Sequence, residues 1–217
     1  IIIERSGFVS YANCGLPYYI GGTITDRGAL TLQTPESFRS RFRIDVRVNE
    51  EAEKIDPTAK TVTIRRHTDG TVYTESYDKL ILSPGAKAVV PEVSGVHGDR
   101  IFTLTPADAI GIRDYVKEHT VRNAVVVGGG FIGLEMAENL IHDDIGVTLL
   151  QRSEQVLPPM DYDMACEIHS YLRMNGVDLR VKQTVAGYEP DDNGGIRVLL
   201  KEGEPIRADF VILSVGV

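Results

Sequence analysis

The run Asn123-Ala124-Val125-Val126-Val127 passes directly into Gly128-Gly129-Gly130-Phe131-Ile132-Gly133, and no other stretch constrains the fold as strongly. A largely apolar strand followed by G-x-G-x-x-G at Gly128, Gly130 and Gly133 calls for a helix next. The chain supplies one, with Ile132, Met136 and Leu140 on a single stripe. A second strand, Val147-Thr148-Leu149-Leu150, follows. Strand, glycine loop, helix and strand make one βαβ unit of a parallel sheet, so the fold class is α/β. Gly128 makes the tight turn, Gly130 lets backbone approach a pyrophosphate, and Gly133 lets the helix pack on the strand. The phosphates would sit on free amides at the helix N-terminus. The unit predicts a dinucleotide site.

The end of the second strand departs from the usual pattern. A site for NAD places Asp or Glu there, about 20 residues beyond the glycines, to bond the ribose 2′-hydroxyl. This chain has Gln151-Arg152-Ser153, with Glu154 arriving only beyond the strand end. An acid would repel a 2′-phosphate; Gln151 does not, and Arg152 and Ser153 could bind one. NADPH is therefore expected to be accepted.

The second stretch that carries chemistry is Ser10-Tyr11-Ala12-Asn13-Cys14-Gly15-Leu16-Pro17-Tyr18-Tyr19-Ile20-Gly21-Gly22. If Asn13 caps a short helix, Cys14 falls in its first turn, where free amides and the helix dipole favour a thiolate. The alternative is a buried cysteine that only packs, the common fate of a free thiol. Ahead of it, residues 1–4 read as a buried parallel strand ending in Glu4, where a dinucleotide unit keeps its ribose-binding acid. The glycine loop that should precede that strand is absent, so a surface glutamate is the competing reading.

Elsewhere the chain reads mostly as scaffold. Thr34 caps a short helix opened by Pro35 and ending near Phe42. Arg39, Arg41, Arg43 and Arg47 read as a solvated face, and His67 as a surface residue. Residues 44–48, 62–64 and 71–74 alternate, which predicts a small antiparallel ribbon turning at Asp69-Gly70. Lys79-Leu80-Ile81-Leu82 reads as a short buried strand, broken by Ser83-Pro84-Gly85, a turn that would let backbone come close to a ligand. Residues 91–98 read as linker. Thr105-Pro106 then opens a helix with Ala109, Ile110, Ile112 and Val116 inward, and a domain boundary is expected near Thr120.

Past the dinucleotide unit, residues 161–173 read as an amphipathic helix with Met164, Ile168, Tyr171 and Leu172 on one face and Gly176 as its stop. Cys166 and His169 within it read as structural. Residues 177–181 give a third parallel strand. Short alternating strands at 184–188, 196–200 and 206–208 follow, joined by Asp192-Asn193-Gly194-Gly195 and Glu202-Gly203, and residues 210–217 return to the sheet.

Composition narrows the partners. A net charge of -8 argues against a nucleic-acid surface. Two cysteines far apart give neither a disulfide framework nor metal-ligand spacing, so a reducing cytoplasm is expected and no metal is. No apolar run approaches the roughly 20 residues that cross a bilayer, and no signal peptide is visible. Small molecules are the expected ligands. The chain starts without methionine inside one apolar run and stops inside another, and reads as an internal piece of a longer protein.

Residues 10–22, Thr34-Pro35-Glu36 with Phe38, and Tyr77-Asp78-Lys79-Leu80-Ile81-Leu82-Ser83-Pro84-Gly85-Ala86 closely resemble the pyridine nucleotide-disulfide oxidoreductases. Residues 125–135 and Val156-Leu157-Pro158-Pro159-Met160-Asp161 complete the likeness. It is to the single-cysteine branch that contains coenzyme A disulfide reductase and its NADH oxidase and persulfide reductase relatives. The resemblance implies two Rossmann-like nucleotide-binding domains with small antiparallel β insertions. Residues 1–119 would be an incomplete FAD-binding domain and residues 120–217 a nearly complete NAD(P)-binding domain. It implies FAD, NADH or NADPH, and coenzyme A as ligands, and a homodimer for the full-length enzyme.

The resemblance also implies roles. Glu4 would bond the adenosine ribose of FAD, and Ser83, Pro84 and Gly85 would pass close to the flavin. Phe131 would cover the nicotinamide pocket, with Glu135 near it and Ile132 in the same cofactor-binding run. Ser10 and Asn13 match positions that contact coenzyme A and the cysteine. Dithiol members carry C-x-x-x-x-C; here Tyr19 takes the second place, so Cys14 must pair with an outside thiol, coenzyme A in this branch. The implied activity is NAD(P)H-dependent reduction of coenzyme A disulfide, or of persulfide or polysulfide sulfur, through Cys14. One alternative is an NADH oxidase that cycles Cys14 through a sulfenic acid. Another is a nucleotide-binding module with a buried structural cysteine and no activity. With no pyrophosphate loop ahead of Ile1, this chain alone is expected not to hold FAD tightly.

Overall fold

The computed structural model describes residues 1–192 and 194–216; Asn193 of the expected turn and Val217 at the end of the last expected strand lie outside the described residues. By packing, the chain forms two compact units, Ile1–Asn13 with Asp26–Gly85 and Cys14–Thr25 with Ala86–Val217.

In the first unit β1 (Ile2–Glu4) pairs in parallel with β2 (Val46–Val48), Ile2 opposite Val46 and Glu4 opposite Val48. Both strands are half-buried, so β1 is not the core strand its composition suggested. Nor does β2 join the antiparallel ribbon. The helix α2 (Pro35–Phe42; α1 lies in the other unit) stands between β1 and β2, and parallel neighbours need such a crossover. Thr34 Oγ1 accepts from Ser37 N and Ser37 Oγ from Thr34 N, a reciprocal cap that fixes the start of α2.

Asn49, at φ 57°, then turns the chain into an antiparallel sheet of β3 (Glu50–Asp56), β4 (Thr61–Arg66) and β5 (Val72–Ser76), with β4 central. Strand β3 is absent from the sequence reading because its alternation is written in charge. Glu50 is buried and pairs with Arg66 at 2.9 Å, while Glu53 meets Arg65 on the exposed face. Arg47 is a second correction: it is no solvated arginine, donating to Tyr73 Oη at 2.9 Å and Glu75 Oε1 at 2.6 Å. Residues 79–82 form no strand, and Ile81 is 87% exposed. An apolar run becomes a buried strand only where a neighbour pairs with its backbone, and none does so here among the described residues.

In the second unit five parallel strands are ordered β6-β13-β7-β8-β9. They are β6 (Ile101–Phe102), β7 (Asn123–Val127), β8 (Gly146–Leu150), β9 (Asp178–Arg180) and β13 (Phe210–Leu213). From β7 the chain steps outward to β8 and β9, then returns to the other flank of β7 as β13. That reversal opens a crevice beyond the C-terminal ends of β7 and β13, where doubly wound sheets hold ligands.

The return passes through an antiparallel sheet of β10 (Val185–Asp191), β11 (Gly195–Leu200) and β12 (Ile206–Ala208). Its Tyr188, Ile196, Val198 and Ile206 pack with Val125, Val127, Val211 and Leu213, covering one face of the parallel sheet. Residues alternating with these face the other way, and there Phe210 meets Tyr115 of α3 (Pro106–Glu118) edge-on. Part of the expected linker is packed too: Val96 is buried, and Ser94 O accepts from Tyr188 N at 2.9 Å.

Helix α4 (Phe131–His142) lies on β7 and β8 with Met136, Ala137 and Leu140 buried, but Ile132 is 38% exposed and stands off the predicted stripe. Gly133 takes the inward place. Helix α5 (Tyr162–Met174) packs on β9 with Ala165, His169 and Leu172 inward, whereas Met164 and Tyr171 are exposed. On the inward side, Val156 N donates to His169 Nε2 at 3.1 Å. No helix is long and apolar enough to cross a membrane among the described residues.

Candidate functional site

Three residues carry the chain from β7 into α4. Gly128 has φ 110°, and a side chain there would strike Ser214 O, so the turn beside β13 requires glycine. Ser214 Oγ lies 3.0 Å from Val127 O and 2.9 Å from Gly128 O as donor, tying the ends of β7 and β13 together. Nothing in Leu213-Ser214-Val215 marks this serine in the sequence; the strand order brings it here. At Gly133, Gly128 O and Ser214 Oγ occupy the space where a side chain would begin. Above Gly130 the space is open, with nothing within 4 Å of a Cβ position. Gly130 also caps α4, and having no side chain it leaves the first amides of the helix without a side-chain cap. Phe131, first residue of α4, is 72% exposed, and Glu135 is half-buried one turn on.

A hydrogen-bonded loop leans on this turn from β8. Gln151 Oε1 accepts from Gly129 N at 2.9 Å, and Gln151 Nε2 donates to Ser153 Oγ at 2.6 Å. Ser153 Oγ donates to Gln155 O at 2.8 Å, and Gln155 Nε2 to Met160 O at 2.8 Å. Leu157 N returns to Gly129 O at 2.8 Å. His169 holds the same loop through Val156 N; burial pushes its pKa down and the nearby Arg173 charge adds to this, so the ring is a neutral acceptor at Nε2. Arg152 is exposed, and the ion pairs beside it, Lys182 with Glu154 at 3.4 Å and Arg180 with Asp178 at 2.8 Å, do not involve it.

Cys14 sits in a short 3₁₀ turn, Asn13–Gly15, ahead of α1 (Leu16–Ile20). The expected cap at Asn13 is not formed: Gly15 caps α1, with Pro17 in its first turn, which leaves Cys14 before the helix rather than within it. Cys14 is exposed, which removes the reading of a buried packing cysteine. Helix α1 buries Leu16, Pro17, Tyr19 and Ile20 and packs on α3 and α4. Arg113 of α3 fastens its end, donating to Ile20 O at 3.1 Å and to Asp143 Oδ2 at 2.7 Å. At Gly21 a side chain would run into Asn139 of α4. The cysteine segment and the glycine-loop helix therefore share one packed unit.

The remaining expected site residues belong to the first unit. Glu4 is half-buried and its Oε1 accepts from Ser6 N at 2.7 Å. Ser10 is half-buried, while Asn13, Ser83, Pro84 and Gly85 are exposed.

The whole chain, residues 1–217, matches the family profile described as pyridine nucleotide-disulphide oxidoreductase. It is 35% identical over 217 residues to the coenzyme A disulfide reductase of Staphylococcus aureus (strain JH9), covering 100% of this chain and 48% of that protein. The chain thus spans about half the length of the curated relatives it matches. Among solved structures, reduced Bacillus anthracis CoADR-RHD superposes with TM-score 0.92 at 44% identity, over 99% of this chain and 38% of that one. The NAD-dependent persulfide reductase from A. fulgidus gives 0.92 at 32% identity, over 99% and 40%. An engineered water-forming NADPH oxidase, made from the Lactobacillus brevis NADH oxidase and bound to NADPH, gives 0.91 at 30% identity, over 99% and 47%. Its changes include consecutive replacements of aspartate by alanine, alanine by arginine and methionine by serine. With a profile match running from end to end, this chain belongs to the pyridine nucleotide-disulphide oxidoreductase family.

Proposed function

We propose that the chain is part of an FAD-dependent NAD(P)H oxidoreductase that reduces coenzyme A disulfide, or persulfide or polysulfide sulfur, through Cys14. Residues 1–119 contribute to its FAD domain and residues 120–217 form its NAD(P) domain. The full enzyme is a cytoplasmic homodimer acting on a small thiol or disulfide. The observation that carries this reading is an exposed cysteine on a segment fastened to the glycine-loop helix, with Tyr19 where a resolving cysteine would stand.

Gly128, Gly130 and Gly133 hold the dinucleotide diphosphate, and the open space over Gly130 is what such a ligand requires. Phe131, Ile132 and Glu135 face the nicotinamide end, and Gln151 and Arg152 the adenosine end. Glu4 and the turn Ser83, Pro84, Gly85 contact FAD, which when bound supplies two-electron transfer between dinucleotide and sulfur. Cys14, as thiolate, attacks one sulfur of the disulfide; the S–S bond breaks and one coenzyme A leaves as a thiolate that takes up a proton. A mixed disulfide between Cys14 and the second coenzyme A remains, with Ser10 and Asn13 holding that coenzyme A in place. No thiol at position 19 can resolve it, so release needs an electron pair from the cofactors. NADPH is accepted as donor: the engineered NADPH oxidase has an arginine and a serine directly after its replaced aspartate. At the spacing of its other two changes, a glycine to alanine and a proline to arginine, this chain keeps the glycine and proline of the unengineered oxidase, as Gly133 and Pro158.

The test is Cys14→Ser in the full-length, FAD-loaded enzyme. Reduction of coenzyme A disulfide by NADPH should fall by about 10³-fold or more, as expected when a nucleophile is removed. Retained activity would overturn the reading. Rapid reduction of oxygen to water by thiol-free protein would point instead to the oxidase.

A further inference from the structure

Within the glycine turn, the peptide between Gly128 and Gly129 is the plane that side chains hold. The plane before it is fixed by backbone: Val127 O accepts from Ser214 N at 2.8 Å, and Gly128 N donates to Leu150 O at 2.8 Å. The plane after it is fixed through Gly129 O, which accepts from Leu157 N at 2.8 Å. The Gly128–Gly129 plane has no backbone partner at either end among the described residues. Its oxygen, Gly128 O, lies 2.9 Å from Ser214 Oγ, and its amide, Gly129 N, donates to Gln151 Oε1 at 2.9 Å. Val127 O already has the Ser214 amide, so the serine hydroxyl proton serves Gly128 O. In a planar trans peptide the oxygen and the amide hydrogen point opposite ways, so the two side chains grip the plane from its two sides.

Glycine on both flanks leaves this plane free to turn. With no Cβ on either side, no steric wall stops it from turning over about the line joining the two Cα atoms, and the side-chain bonds set its direction. As it stands, the oxygen points beneath α4, where Gly128 O occupies the space in which a Gly133 side chain would begin. Turned over, that oxygen would come out on the side of Gln151, the adenosine side in the reading above, and set partial negative charge toward an anionic diphosphate.

We propose that Ser214 is a positioning residue for dinucleotide binding: its hydroxyl, reaching over from the end of β13, keeps the Gly128 carbonyl turned under α4, while Gln151 braces the amide end of the same peptide. This rests on the dinucleotide reading above, but not on the role of Cys14 or on which nucleotide is preferred. The dinucleotide is bound by the chain with the plane in place, so the apparent Kd rises as the fraction that holds it falls. Both nucleotides share the diphosphate, so loss of the serine hydroxyl weakens both by the same factor.

The experiment compares Ser214→Ala with wild type in the full-length, FAD-loaded enzyme. Calorimetric titration uses NAD⁺ and NADP⁺, which bind without handing over hydride, and both Kd values should rise by one common factor, about 3- to 10-fold. Amide exchange of the nucleotide-free enzyme, read by NMR on glycine-labelled protein, supplies a signature that general loosening does not give. Exchange at Gly129 N, which is bonded to Gln151 only in the observed orientation, should quicken by a like factor. Exchange at Gly128 N, held by Leu150 O, should change by less than about twofold. Equal quickening at both amides, or none at Gly129, would overturn the proposal. So would a Kd change for one nucleotide alone, or for neither. A wild-type enzyme that binds neither nucleotide would remove the dinucleotide reading itself, and with it the role proposed for Ser214, even where exchange shows that the serine holds the plane.

Discussion

His169 holds the loop after β8 by accepting from Val156 N at 3.1 Å, and it can do so only while its ring is neutral. Burial pushes its pKa below the ordinary value of 6.5, and Arg173 adds to the shift. Between the lowered native value and 6.5, the unfolded chain takes up a proton that the native chain refuses. The contribution to stability is therefore present above that window and is lost as pH falls through it. Urea midpoints at about pH 7.5 and about pH 5.5 should drop further for the wild type than for His169→Gln, which keeps an acceptor but does not titrate. Equal drops would show that the ring is not the titrating group. The sequence marked His169 as structural from its place on an amphipathic helix. It could not supply the partner, because Val156 reaches it only through the turn of α5 onto β9. Gly128 is the opposite case, a residue whose duty was legible outright. At φ 110° and against Ser214 O, Gly128→Ala should cost roughly 2 kcal/mol or more, read as a lower thermal midpoint with and without NADPH.

At the scale of elements, periodicity was sufficient where the core lies on one side and failed where charge or missing partners decide the outcome. Helices α2 and α3 begin where Thr34-Pro35 and Thr105-Pro106 place them, because cap and first-turn proline act locally. The glycine-loop unit β7–α4–β8 was legible because its glycine spacing between two apolar strands is an equally local signal. Strand β3 was not, since Glu50 reads as a surface residue until Tyr73 and Arg66 are seen to close over it. Burial pushes the Glu50 carboxyl up, but hydrogen bonds from Tyr73 and Arg66 and the charges of Arg66 and Arg47 outweigh it, holding its pKa below 4.5. That places its contribution above the carboxylate range and removes it as pH falls. Tyr73→Phe deletes the hydroxyl that serves Glu50 and accepts from Arg47. The antiparallel sheet should lose roughly 1–2 kcal/mol in urea unfolding, and its acid midpoint should move to higher pH. An unchanged acid midpoint would mean that Arg66 alone holds the carboxylate. Residues 79–82 teach the converse: Leu80, Ile81 and Leu82 are apolar enough for a strand, but without a neighbour their backbone has no ladder to join, and they lie exposed.

For the whole molecule, the decisive fact is the strand order β6-β13-β7-β8-β9, which no local pattern encodes. It sets Ser214 beside Gly128, and it lets β10–β12 cover one face of the parallel sheet while α3 and α4 cover the other. The chemistry-bearing stretches, 10–22 and 123–153, were visible in the sequence as separate motifs. The closeness of 14–22 to α4 was not, because it is made by ordinary residues: Gly21 lies against Asn139, and Arg113 of α3 joins Ile20 O to Asp143. The packing also divides the two ligand readings unevenly. The glycine turn, its brace and the helix start all lie in the second unit, so dinucleotide binding should protect that unit and leave the β3–β5 sheet of the first unit indifferent. In hydrogen exchange, NADPH at about 100 times its Kd should slow opening of residues 128–136 and 151–160 by an amount approaching 2.7 kcal/mol. Exchange in β3, β4 and β5 should not change. Protection spread equally over both units would mean that the nucleotide is held by residues of both. Protection confined to 128–136, without 151–160, would mean that the loop carrying Gln151 and Arg152 takes no part in the grip.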